Sequence, residues 1–197
     1  MSDTPSTGTL APLQVTCTSA SCGDDLHCFK FHSRKMKSTD RGHCRYCGAD
    51  LVDWGRVHAR NTADVTHTFE ALRREFIRHH FWHKHIDEKA ELHARRKGCL
   101  NLRASAEKRI ASSVGTAHPP RDGQQTPFSG NILYYAQHAT ACCCRTCIEY
   151  WHGIPKGRPL AATEMQYFVD LVMRFVGERM PQLPDTPEKI PRRRRAN

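Results

Sequence analysis

Beyond residue 60, apolar positions recur at helical spacing along most of the chain. Val65, Phe69, Leu72 and Phe76 form one stripe, which Ile77 and Phe81 continue. Asn61 can cap this stretch, Asp64 sits in its first turn, and Gly98 is a natural stop, so one long helix is predicted over residues 61–97. A second is predicted over 101–114, capped by Asn101 and buried through Leu102, Ala106 and Ile110. A last helix begins at a capping box of Thr163 and Gln166. It buries Met165, Phe168, Val169, Val172, Phe175 and Val176, and Pro181 ends it. Residues 118–131, rich in proline and glycine, read as a loop long enough to be functional, with Asp122, Gln124 and Thr126 as its polar candidates. Before residue 60 the period changes: LHCFKFHSRKM alternates and is aromatic-rich, as a strand would be.

The expected fold is therefore mainly α, with a small N-terminal zinc ribbon of β structure and an α-helical domain that carries a second Cys/His centre. The expected boundaries are a disordered arm over 1–14, the ribbon over 15–54, the α domain over 60–181 and a flexible basic tail over 182–197.

The ribbon rests on two half-sites, Cys17-x4-Cys22-Gly23 and Cys44-x2-Cys47-Gly48. Glycine after the second cysteine permits a tight turn whose backbone N–H groups face the sulfurs. Cys17, Cys22, Cys44 and Cys47 would then hold one tetrahedral zinc. His27, Cys28 and His32 compete as ligands, Cys28 reading better as a core thiol. So short a segment buries too little apolar surface to fold alone, so the metal would be its core.

Residues 132–160 hold the densest chemistry. His138, Cys142, Cys143, Cys144, Cys147 and His152 fall within fifteen residues, more soft ligands than packing asks for. On a continuous helix Cys143, Cys144 and Cys147 share an arc of roughly 100°, whereas His138 and His152 stand about 21 Å apart along the axis and cannot share an ion. The fourth ligand must then come from a break that folds His152 back, or from His79 or His83 on the long helix, with His138 kept in the candidate set. Zinc is favoured at this second site. An iron–sulfur cluster is the alternative, disfavoured by the lack of a fourth thiolate. Three protein ligands plus water would make the site catalytic, and four would make it structural.

The same region carries a resemblance. R-D-G-x-Q-T-P (Arg121 to Pro127), A-Q-H-A-T-A (Ala136 to Ala141), C-C-x-x-C (Cys143 to Cys147) and W-H-G-I-P-K-G (Trp151 to Gly157) resemble the signature of a bacterial family of unknown function, over roughly residues 68–180. The resemblance implies a shared fold and site but supplies no activity.

Charge adds a partner class. The net charge is +10, of which Arg192, Arg193, Arg194 and Arg195 supply four. With Lys156 and Arg158 beside a helix start, this balance favours nucleic acid as partner. The first fourteen residues lack the basic start and apolar run of a signal peptide, and no apolar run is long enough to span a membrane. The expected location is the cytoplasm, where clustered cysteines bind metal rather than pair. Two functions follow. One is a nucleic-acid-associated zinc protein, a nuclease or repair factor working through the second centre. The alternative is a metal- or redox-responsive regulator without turnover. Whether the protein is an enzyme stays open.

Overall fold

The structure is a computed structural model describing residues 15–190. The arm over 1–14 and the expected phosphate contacts Arg192, Arg193, Arg194 and Arg195 lie outside the described residues. Within them the helices are α1 (Trp54–His58), α2 (Val65–Arg73), α3 (Phe76–His83), α4 (Glu88–Ser113), α5 (Ile132–Ala139), α6 (Arg145–His152) and α7 (Ala162–Arg179). α5 packs on both α3 and α7, and α7 runs along α4. α4 buries Ala90, Ala94, Gly98, Leu102, Ala106 and Ile110, one every four residues. The N-terminal half of that stripe is made of small residues alone, Ala90, Ala94 and Gly98, which permit close approach. Phe168, Leu171, Val172, Phe175 and Val176 of α7 are buried in the same core.

The predicted β ribbon is corrected by this fold. Among the described residues no strand forms, and extended pairing is confined to two isolated bridges, Ser21 with Leu26 and His27 with Glu75. The cause lies in where the backbone groups around His27 go. The N–H of His27 donates to Arg74 (2.7 Å), that of Phe76 donates to His27 (2.9 Å), and that of Arg45 donates to Cys28 (2.9 Å). The alternating stretch therefore lies against the α2–α3 junction and the Cys44 turn, with too few partners of its own for a ladder. The N-terminal module is a set of turns laid on helices.

The long helix over 61–97 is likewise three helices. It breaks at Glu75, whose backbone is extended (φ −88°, ψ 125°) and whose carboxylate turns into the interior, fully buried. It breaks again before Asp87, which caps α4 by accepting from the N–H of Ala90 (3.0 Å). Gly98, expected as a stop, instead kinks α4 with φ +70°, and the predicted second helix is the arm beyond that kink. A Cβ at Gly98 would come within 2.5 Å of the Thr186 carbonyl carbon, because the 184–188 segment packs there. The N–H groups of Cys99 and Leu100 donate to Pro184 and Asp185 (2.8 and 3.2 Å), so the kink leaves neither orphaned. α7 starts one residue before Thr163, and Glu164 supplies its cap through the N–H of Ala161 (2.8 Å). Among the described residues no helix is long and apolar enough to cross a membrane.

Candidate metal centres

Two groups of ligands converge, and each can hold a metal ion. The first is Cys22, His27, Cys44 and Cys47, whose ligand atoms all lie within 4.8 Å of one another. The Cys22 and Cys44 sulfurs are 3.7 Å apart, and Cys47 Sγ lies 3.4 Å from His27 Nδ1. A tight turn presents two of these thiols. Gly48 takes φ +76° and its N–H returns to the Cys44 carbonyl (2.8 Å). Asp25 orients the imidazole by accepting from His27 Nε2 (3.0 Å), which leaves Nδ1 free to face the thiols. Burial opposes ionisation of Cys44. Hydrogen bonds from the backbone N–H groups of Cys28, Cys47 and Tyr46, and from His27, outweigh it and bring the thiol down to about 6. Cys22 is pushed up to about 12 by burial and by its hydrogen bonds with Cys47 and Cys44. A cation entering the group displaces the protons its thiols carry.

The second group is Cys143, Cys144 and Cys147, again within 4.8 Å and all buried. The loop between α5 and α6 is moulded to present them. Ala141 turns the chain at φ +55°. Gln137 then donates to the Cys142 carbonyl (3.2 Å) and Thr126 to the Cys143 carbonyl (2.8 Å). Cys144 is the N-cap of α6, its sulfur accepting from the Cys147 N–H (3.4 Å). Cys142 points elsewhere, 3.3 Å from the Thr140 hydroxyl. The thiol of Cys147 is held well below its ordinary value by hydrogen bonds with Cys143, Cys144 and Cys17, which together with the Arg78 charge overcome burial.

Cys17 therefore does not join Cys22, Cys44 and Cys47. His27 stands in that group, and the Cys17 thiol, pushed up chiefly by Cys147 and by burial, belongs to neither set of converging ligand atoms.

Around the second group lies a buried charge network. Arg78 is fully buried and donates to Cys147 Sγ (3.0 Å), Cys143 Sγ (3.6 Å), the His138 carbonyl (2.6 Å) and Tyr150 Oη (3.0 Å). Its Nε donates to Glu75 (2.9 Å), which also accepts from Tyr150 (2.9 Å) and Trp151 Nε1 (2.6 Å). Burial works against the guanidinium charge, but Cys147, Tyr150 and Glu75 outweigh it and keep Arg78 charged. In the sequence Arg78 reads as one of the basic residues of the long helix, and the Glu75-x2-Arg78 spacing is the one local signal of its pairing.

The other predicted ligands sit apart from the thiols. His79 and His83 stack on each other with centroids 4.1 Å apart, and His83 Nδ1 lies 2.8 Å from the His79 carbonyl. His138 is sandwiched between Phe81 and Phe128, its Nε2 on the Thr126 and Pro127 carbonyls (3.1 and 3.2 Å). His152 is fully buried, with Nε2 on the Thr140 carbonyl (3.0 Å) and Nδ1 3.4 Å from the Tyr167 hydroxyl. Burial pushes the His152 imidazole down to about 3. Its folded-state pKa is thus depressed below the unfolded value near 6.5, so its stabilising contribution is intact above about pH 6.5 and is lost as pH falls from there towards 3. Urea midpoints at pH 7 and pH 5 are expected to fall further apart in the wild type than in His152→Gln. Equal pH dependence in the two proteins would contradict this.

The cations expected to meet phosphate are engaged. Lys156 pairs with Asp122 and donates to Thr146 Oγ1 (both 2.6 Å), while Arg158 makes a two-pronged pair with Glu164 (2.8 and 2.6 Å). The intervening loop is fixed from beneath by buried Arg145, which donates to the Val114, Pro155 and Arg158 carbonyls.

A family model matches residues 66–177, more than half of the chain. The chain belongs to that family, described as Domain of unknown function (DUF4186). The DUF4186 region contains Glu75, Arg78 and all three thiols of the second group. Cys17 and the whole first group lie outside it. No solved structure matches the chain.

Proposed function

We propose that this DUF4186 protein is a zinc-bound binding protein that holds single-stranded nucleic acid on its N-terminal module without turning it over. The observation that carries this reading is the interleaving of cations with aromatic rings on that module. Among the described residues Lys30, Arg34, Lys35, Lys37, Arg41 and Arg45 enter no ion pair, and neither do Arg74, Lys89, Lys108, Arg121 and Arg174 on the helical body, so the rings and not the charge alone mark the module. The free cations are interleaved with rings: Arg41 lies over Phe31 at 4.1 Å and Arg45 over Tyr46 at 5.4 Å, with Tyr46 60% exposed. Beside them a cleft of about 250 Å³ is lined by Phe31, Arg41, Trp54, Glu149 and Tyr150 among others. Guanidinium groups alternating with aromatic faces suit a strand whose phosphates and bases are both accessible. The thiols of the second group are 3–4% exposed, which fits a structural ion better than one that must admit substrate.

A redox-responsive regulator is the second reading, favoured by exposed Cys47 at the edge of the first group.

Fluorescence anisotropy with labelled single-stranded RNA and DNA tests the first reading. Affinity is expected to fall with salt at a logarithmic slope of about 0.7 per phosphate neutralised. Tyr46→Ala is expected to lose about tenfold in affinity, since a stacked base contributes roughly 1–3 kcal/mol. Absence of binding at low salt ends the nucleic-acid reading.

A further inference from the structure

We propose that the cleft between the N-terminal module and the DUF4186 domain takes one unstacked guanine base, with Arg41 on its O6/N7 edge and Glu149 on its N1/N2 edge. This rests on the nucleic-acid reading above and names the base that the bound strand inserts. The cleft belongs to neither part alone. Phe29, Phe31, Arg41 and Gly42 come from the module, Trp54 and His58 from α1, and Glu149 and Tyr150 from α6. Its volume of about 250 Å³ falls below the roughly 300–1,000 Å³ of pockets for drug-sized ligands, which suits a single base and not a run of them.

The aromatic walls are held in place. Trp54 Nε1 donates to the Gly42 carbonyl (3.1 Å), and its ring meets those of Phe29 and Trp151 at centroid distances of 5.8 and 5.1 Å. Gly42 stands at φ +89°, and a Cβ there would run into the Trp54 indole, so only glycine lets the backbone close on that ring. Tyr150 is fixed through its hydroxyl, which accepts from Arg78 (3.0 Å) and donates to Glu75 (2.9 Å). A base that stacks on such preset faces orders little of the protein. Two groups of opposite charge complete the lining. Arg41 is exposed, with its guanidinium 4.1 Å from the Phe31 ring centre. Glu149 is exposed too, and commits Oε1 to the Lys156 N–H (3.2 Å). An unpaired strand leaves every edge of a base open to such groups. A guanidinium donates two N–H groups to guanine O6 and N7, and a carboxylate accepts from guanine N1–H and N2–H. Adenine offers an N6 donor where the arginine needs an acceptor and a bare N1 where the carboxylate needs a donor, and the pyrimidines have no N7. Guanine alone satisfies both charges, and a site built to pair N–H groups rejects bases that leave it unpaired.

Calorimetric titration of the full, metal-loaded chain with the monophosphates of guanosine, adenosine, cytidine and uridine tests this, beside anisotropy with a labelled uridine tract and the same tract carrying one guanosine. Guanosine monophosphate is expected to bind about tenfold more tightly than the other three, and the single guanosine to improve the tract by a similar factor. Glu149→Ala separates base reading from charge. Removing a carboxylate strengthens attraction to phosphate, so the uridine tract should bind more tightly while the guanosine tract and guanosine monophosphate weaken about tenfold. Arg41→Lys, which loses the planar fork, should cut the guanine preference as well. Equal affinities for the four monophosphates overturn the proposal, as does a Glu149→Ala protein in which both tracts shift the same way. Tracts bound without a guanosine preference overturn it and leave the proposed function standing. A guanine preference among the monophosphates, with neither tract bound, keeps the cleft and sinks the proposed function, and binding of none of these ligands sinks both.

Discussion

Arg78→Ala is expected to cost about 3–5 kcal/mol of folding stability and to release the ion of the second centre. The mutation does not simply delete contacts. It leaves the Glu75 carboxylate buried at the α2–α3 break without its cation, and it withdraws the N–H groups that face Cys147 and Cys143. Tyr150 and Trp151 still donate to Glu75, but neither carries charge. Arg78→Lys should recover only part of the loss, because one ammonium cannot serve five acceptors spread around a planar fork. Replacing both charges, as Glu75→Gln with Arg78→Met, should cost less than Arg78→Ala alone. Chemical denaturation with zinc analysis checks all three. A single alanine variant that unfolds at the wild-type midpoint would show that the pair is dispensable.

Cys44→Ser is expected to remove about one metal equivalent and to unfold residues 15–53 while the helices persist. For a small metal module the binding free energy is the folding free energy, with apparent values of about 10–16 kcal/mol at neutral pH. Little else holds this segment. Its extended pairing amounts to two bridges, and only His27, Cys28, Phe29, Cys44 and Val52 are buried within it. α2 to α7 lie outside the module, so far-UV helicity should change little while proteolysis becomes rapid between residues 30 and 46. Unchanged zinc content and unchanged protease resistance would remove the first centre from the account.

Much of the helical body was legible because its signal is local. The stripes of α2, α4 and α7 follow from their own spacing, and Cys144 at the start of α6 is consistent with a Cys-x2-Cys turn. The breaks were not legible. A glutamate and an arginine on a helical pattern read as a solvated face. Their burial depends on Tyr150 and Trp151, over seventy positions away. The grouping of ligands was not legible for the same reason. Cys17 and His27 are both near enough in sequence to serve the Cys22 side, and the sequence does not say that His27, bridged to Glu75, is the one that joins Cys44 and Cys47. The strand between the two half-sites rests on alternation, and alternation does not say whose backbone will complete the hydrogen bonds.

The division of the ligands between two stretches of the chain also sets an order of events during synthesis. Cys47, the last member of the first group, leaves the ribosome roughly 100 residues before Cys147, on the order of ten seconds earlier at ordinary elongation rates. The group from Cys22 to Cys47 can close within that interval, since all its members are already made. Once closed, it offers the backbone of His27 to Arg74 and Phe76 as they emerge, before the second group exists.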